Sequence, residues 1–458
     1  MAGIGFSIQK ILKKNTYSAS IQAYFYSTII FSGPWILSIL TIFCLDRLTP
    51  QSIDILDMLY FRTIIIYVFA FSFITVGLFH FPLTRYLADK LYLGEKEAII
   101  PTFNASMLYV LLLQSLSGML VMSQTSMGLS SKVLIILTYM TISSLWVSMI
   151  FLSTLRAFKV ISLFYLIGSV IAVVGSLFLG QRIGITGYFV GYLLGHLFIV
   201  VGWSARIFGE FNSRHIFDAG IFLFLVRNYK LILIGLFYNL AVWIDKIIFW
   251  LSPEAKAITA FFKTFPTYEN PVFFAHLTII PALSILLIQI ETDFYRRFRR
   301  YYRAIEEKAA YDHIRQLREE IMVSLKKGAV SLIRCQATLS ILVIIFSPQI
   351  ANMIHMPWIQ IPIFRIAVLG TFVHSLLLMV IIITLYFDFQ WNALLISAVF
   401  FFTNGLFTWV MVGKDIPYFG YGYLLSTVVT LFIAWHMLDY KLRRLEYYTF
   451  ALQPVAAV

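Results

Sequence analysis

The chain is 458 residues long, 60% hydrophobic and only 12% charged, with a mean hydropathy of +0.85. Water-soluble domains of this size do not carry that balance, so a soluble enzyme or soluble binding module is excluded. The formal charge of +13 does not indicate nucleic acid, because the cations fall in short loops where the positive-inside rule and anionic lipid place them.

Taken in chain order, residues 1–19 put Ile4, Ile8, Ile11 and Leu12 on one helical face, with Lys10, Lys13 and Lys14 mostly elsewhere. That pattern predicts an amphipathic interfacial helix on the inner leaflet, its lysines toward lipid or a partner. Apolar runs follow at 20–45, 61–83, 103–123, 132–155, 160–180, 184–205, 231–251, 271–291, 331–347, 363–386, 391–412 and 419–439. A bilayer core of ~30 Å needs roughly 20 apolar residues per helical span. The fold class read from this rhythm is an all-α polytopic membrane protein with about twelve transmembrane helices. The first run is too long for the apolar part of a signal peptide and has no clear cleavage site, so it is expected to stay as a helix.

Twelve spans place both termini on one side. With the termini cytoplasmic, 25 of the 35 Lys and Arg fall on inner segments and 7 on outer ones, while Lys246, Arg334 and Arg365 lie within or at the edges of spans. That loop-by-loop alternation predicts cytoplasmic termini and supports the count of twelve. Spans one to six precede the polar linker 206–230, and spans seven to twelve follow it. The expected division is an N-terminal six-helix lobe over 20–210 and a C-terminal one over 211–458, related as parallel repeats.

Within the second half, residues 292–330 form the only long charged segment, led by Arg296, Arg297, Arg299, Arg300 and Arg303. Two readings stand: a solvated cytoplasmic helix against anionic lipid, or a docking surface for a cytosolic partner.

Enzyme signatures are lacking. The sequence has no P-loop, no Gly-x-Ser-x-Gly and no His-Glu-x-x-His, and no Cys/His set with zinc spacing. No catalytic residue, metal or cofactor is expected, and the chain reads as a transporter rather than an enzyme. Cys44 and Cys335 fall near opposite membrane faces in this topology, so no disulfide between them is expected.

The clues to function are ionisable groups at membrane depth, which are costly there. Asp245 and Lys246 sit in the outer half of span seven. Adjacent helical residues point ~100° apart, so they need not pair; a cavity or gating role and a structural ion pair are both open. Arg365 opens span ten, where it can snorkel to the interface or face the path. His80, His196, His276 and His374 read individually as hydrogen-bonded packing residues. Gly33-Pro34-Trp35 interrupts span one as a hinge or a static kink, and Asn270-Pro271 and Pro281 bend span eight.

The opening Met1-Ala2-Gly3-Ile4-Gly5-Phe6, followed by Tyr17-Ser18, Tyr24 to Tyr26 and Ser32-Gly33-Pro34-Trp35, resembles the PelG family, the inner-membrane exporters of the Pel exopolysaccharide system. The likeness covers essentially the whole chain. More broadly the chain looks like the multidrug/oligosaccharidyl-lipid/polysaccharide flippase superfamily, with Asp245-Lys246-Ile247-Ile248-Phe249 and Ser252-Pro253-Glu254-Ala255 similar to a segment of polysaccharide flippases. The resemblance implies two six-helix lobes around a central cavity. It also implies a cytosolic PelF-like glycosyltransferase, membrane subunits including a PelD-like cyclic-di-GMP receptor and a PelE-like protein, and an amino-sugar polysaccharide substrate. Lipid-linked flippases usually carry several cavity cations; here membrane-depth cations look few, in keeping with a glycan made without a lipid carrier.

The leading expectation is a conduit in the bacterial inner membrane for a nascent biofilm polysaccharide. The alternatives are a cation-coupled small-molecule or lipid-linked oligosaccharide flippase of the same fold, and a non-transporting scaffold for the synthase.

Overall fold

The computed structural model describes residues 37–38, 40–50, 53–154 and 158–451, together with Thr16 and Ser18. Among these, eleven helices are long and apolar enough to cross a membrane, from Ile55–Tyr92 to Ile416–Arg443. They correspond one for one to the second through twelfth spans read from the sequence. The first span, apart from residues 37–38 and 40–45, lies outside the described residues, as do Gly33, Pro34, Trp35, Lys10, Lys13 and Lys14.

Contacts divide the chain at Pro266 into two compact units. The seventh span packs with helices that precede it in the chain. The reason lies in its partners. Helix α1 (Ile55–Tyr92) and helix α2 (Tyr229–Leu251) meet at two glycines, and a Cβ at Gly235 would overlap the Gly77 carbonyl oxygen. At the far end Tyr67 stacks on Trp250 with ring centroids 4.1 Å apart, and its hydroxyl donates to Lys263 O at 2.9 Å. That anchors a two-stranded hairpin pairing Lys256–Ala257 with Lys263–Thr264.

The rest of the first unit is closed by aromatic packing and by glycine. Phe61 is buried edge-on among Tyr188, Phe189 and Tyr192. Helices Phe158–Ile183 and Ile185–Glu210 form an antiparallel hairpin around Gly184, whose φ of 64° lies in the left-handed region that glycine enters at little cost. Their seam is built from Gly168, Gly175 and Gly180 on one helix against Gly187, Gly191 and Gly195 on the other. A Cβ at Gly191 would overlap the backbone of Gly175 and Ser176. In lipid there is little hydrophobic gain from bringing helices together, so small residues that admit close backbone packing decide which helices pair.

The second unit holds helix α3 (Pro266–Leu277), α4 (Ile280–Gln289), a π-turn over Ile290–Phe294, α5 (Tyr295–Glu306) and α6 (Tyr311–Ile345). Between α3 and α4 the helix is broken. Pro281 lacks an N–H, and at the break the Thr278 carbonyl accepts from Gln336 Nε2 at 2.8 Å. The charged stretch 292–330 is helical almost throughout, prolonging spans eight and nine past the bilayer. Pro266–Glu306 runs 41 residues, about twice the roughly 20 that a core of ~30 Å needs. Helices Ile361–Tyr386, Gln390–Val412 and Tyr421–Arg443 complete the unit.

Candidate functional site

The seam between α1 and α2 positions the charged pair singled out by the sequence. From Gly235 the α2 face continues through Asn239, whose Nδ2 donates to Phe73 O at 3.0 Å. Less than two turns further on, Asp245 is fully buried. Lys246 Nζ lies 2.9 Å from Asp245 Oδ2 and 3.1 Å from Oδ1, and also donates to Val242 O at 3.0 Å. The two neighbours pair because the lysine stem folds back along the helix and spans the ~100° between them. A carboxylate alone in this environment would be expensive; with its ammonium beside it the pair is neutral overall. Trp243 and Trp250 lie on the same helix, with ring centroids 6.4 Å apart. The result is a buried polar point in an aromatic wall.

The other proposed path residue, Arg365, belongs to the second unit. Its Nε donates to Ser347 Oγ at 2.6 Å, and Ser347 opens the short helix Ser347–Met353 directly after α6. Arg365 therefore ties one helix start to the end of another.

The arginines of α5 are not equivalent. Arg297 reaches Asp293 at 3.2 Å and Glu320 at 3.3 Å, and Arg300 reaches Glu320 at 3.4 Å. Arg296 stands 3.8 Å from Asp293. Asp293 also accepts from Ser324 Oγ at 2.6 Å. These contacts lock α5 onto α6, so much of the charge is spent inside the hairpin. Arg299 and Arg303 are exposed and remain the better docking candidates. Arg318 Nη1, on α6, donates to Glu446 Oε2 and to Arg443 O, both at 2.9 Å, fastening the hairpin to the C-terminal helix Leu445–Phe450.

Tyr423 was missed by sequence reasoning. Its hydroxyl lies 2.7 Å from His374 Nδ1, a buried polar contact between two helices, and the ring of His276 from a third helix packs 5.3 Å from its ring. No linear spacing signals it. Among the described residues no group of three or more His, Cys, Asp or Glu could hold a metal ion.

Residues 1–450 match the family PelG, described as "Putative exopolysaccharide Exporter (EPS-E)". No curated protein sequence matches the chain. Solved structures share its fold at low identity. A crystal structure of a MATE variant aligns with a TM-score of 0.66 at 11% identity, covering 92% of this chain and 96% of that one. The Vibrio cholerae MATE transporter VcmN, also a variant, gives 0.66 at 11% identity, covering 96% and 98%. An inward-facing multidrug resistance MATE family transporter of the MOP superfamily gives 0.64 at 12% identity, covering 90% and 95%. These likenesses give the chain a MATE-like fold, the eleven spans make it a multi-pass membrane protein, and the match over residues 1–450 shows that it belongs to the PelG family of exopolysaccharide exporters.

Proposed function

We propose that this chain conducts a nascent Pel-type amino-sugar polysaccharide across the bacterial inner membrane, receiving it from a cytosolic PelF-like glycosyltransferase. PelD-like and PelE-like membrane subunits assemble with it, and both termini face the cytoplasm. The observation that carries this reading is the family match over residues 1–450. In this reading the two sets of six spans are the working halves of the transporter. Asp245 and Lys246 belong to the path or its gate, with aromatic rings nearby suited to the apolar faces of sugars. Arg299 and Arg303, with Lys10, Lys13 and Lys14, face the synthase or anionic lipid.

Inside-out vesicles holding the chain, the glycosyltransferase and the membrane subunits test it. They would be supplied with labelled UDP-N-acetylhexosamine and an external glycosidase. The expected result is label protected in the lumen, lost when this chain is omitted while synthesis continues outside. Polymer that stays digestible in the complete system, with insertion confirmed, would overturn the conduit and favour a scaffold. Drug efflux that follows an ion gradient without the glycosyltransferase would favour a small-molecule antiporter.

A further inference from the structure

An open groove of about 970 Å³ runs along the second unit between α4 and α6. Its α4 wall is Pro281, Ser284 and Ile285. Its α6 wall includes Val323, Lys326, Lys327, Val330, Ser331 and Arg334. Three cations line it and no carboxylate does. The carboxylates nearest in register, Asp293 and Glu320, are held by Arg297, Arg300 and Ser324, so they do not neutralise the groove. Among the described residues no ion pair involves Lys326, Lys327 or Arg334.

Depth decides what such a groove can hold. The ninth span opens near residue 331, so at 1.5 Å per residue Arg334 lies about 4–5 Å inside the core, while Lys326 and Lys327 lie about 6–8 Å outside its boundary, at headgroup depth. An arginine inside the core is costly and is retained where it meets water or an anion. The groove pairs two interfacial cations and a deeper one with apolar walls at Pro281, Ile285, Val323 and Val330. That is the polarity of a phospholipid turned inside out: cations for the phosphate, hydrocarbon for the start of the chains. A soluble phosphate would use the cations and leave the apolar walls unmatched.

We infer that the groove between α4 and α6 binds an anionic phospholipid, its phosphate held by Lys326 and Lys327 with Arg334 reaching up from below. The groove is lined by residues of the second unit alone, and its occupancy does not depend on the identity of the exported polymer.

Native mass spectrometry of the full chain, released from membranes containing phosphatidylglycerol and phosphatidylcholine, tests this. The wild type is expected to retain phosphatidylglycerol selectively. Each cation near an anionic lipid contributes roughly fivefold in affinity. The triple variant Lys326→Gln, Lys327→Gln, Arg334→Gln is therefore expected to lose retention on the order of 100-fold. The charge-keeping triple Lys326→Arg, Lys327→Arg, Arg334→Lys is expected to keep most of it, and Lys256→Gln with Lys414→Gln, at exposed positions outside the groove, to leave it unchanged. Cys335 lies on the groove wall. In a Cys44→Ser background, phosphatidylglycerol is expected to slow maleimide labelling of Cys335 and phosphatidylcholine is not. Undiminished retention in the neutral triple would overturn the inference, as would equal loss in the neutral and charge-keeping triples. Displacement of the lipid by millimolar inorganic phosphate would assign the groove to a soluble anion instead.

Discussion

Lys246 Nζ sits 2.9 Å from Oδ2 of Asp245, its neighbour in the chain, and the carboxylate it neutralises is fully buried. Removing one partner leaves the other charge in a poor environment, at a cost of about 3 kcal/mol. Asp245→Ala is therefore expected to lower the melting temperature of the purified protein and to reduce export at least tenfold. The double variant Asp245→Ala, Lys246→Ala is expected to recover most of the stability while export stays low. Recovery of both together would make the pair structural only; normal export from a well-inserted Asp245→Ala would remove it from the path.

The α1–α2 seam is predicted to be intolerant of bulk. Gly235→Leu places a side chain where the Gly77 carbonyl sits, and overpacking of this kind costs about 1–3 kcal/mol or more. Thermal unfolding in detergent is expected to show that loss. Asn239→Ala, which removes one donor to Phe73 O, is expected to cost about 1 kcal/mol. A Gly235→Leu protein as stable as wild type would mean that the helices do not meet here.

The glycine hairpin carries a similar prediction. Gly191→Leu meets the backbone of Gly175 and Ser176, where no side-chain rotation relieves the overlap. Poor membrane accumulation and faster proteolysis are expected. Leu at Gly209, which has open space around its Cβ position, should insert and accumulate normally, and a comparable defect there would point to a general intolerance of leucine.

The Arg318–Glu446 contact is largely shielded, with side-chain exposures of 17% and 9%. Glu446→Gln keeps the shape and removes the charge. The C-terminal helix is expected to loosen, seen as faster amide exchange over Leu445–Phe450, with a stability loss of about 1–3 kcal/mol. Arg315→Gln breaks an exposed i,i+4 pair with Glu319, worth well under 1 kcal/mol, and is expected to change neither measurement.

Some of the architecture was readable in the chain and some was not. Hydropathy along the sequence located spans two to twelve because each is a local run of apolar residues. The break in span eight was equally local, since Pro281 removes its own N–H wherever it sits. The seam glycines were also visible in principle. Gly187, Gly191 and Gly195 recur at intervals of four, the small-residue spacing of close helix pairs. Arg334 was legible as a membrane-depth cation, yet the groove was not, because its other wall comes from α4.

The sequence by itself determined a multi-span helical transporter and, through its motifs, the family to which it belongs. It did so because span length is set by the bilayer and charge placement by the interface, and both act residue by residue. Only the tertiary structure decided that α2 packs on α1, that Lys246 folds back onto Asp245, that Arg297 and Arg300 are spent on Glu320, and that Lys326, Lys327 and Arg334 share one trough. Those outcomes depend on which helices approach closely enough to touch. In a bilayer that choice is made by glycines and by a few polar contacts between distant parts of the chain.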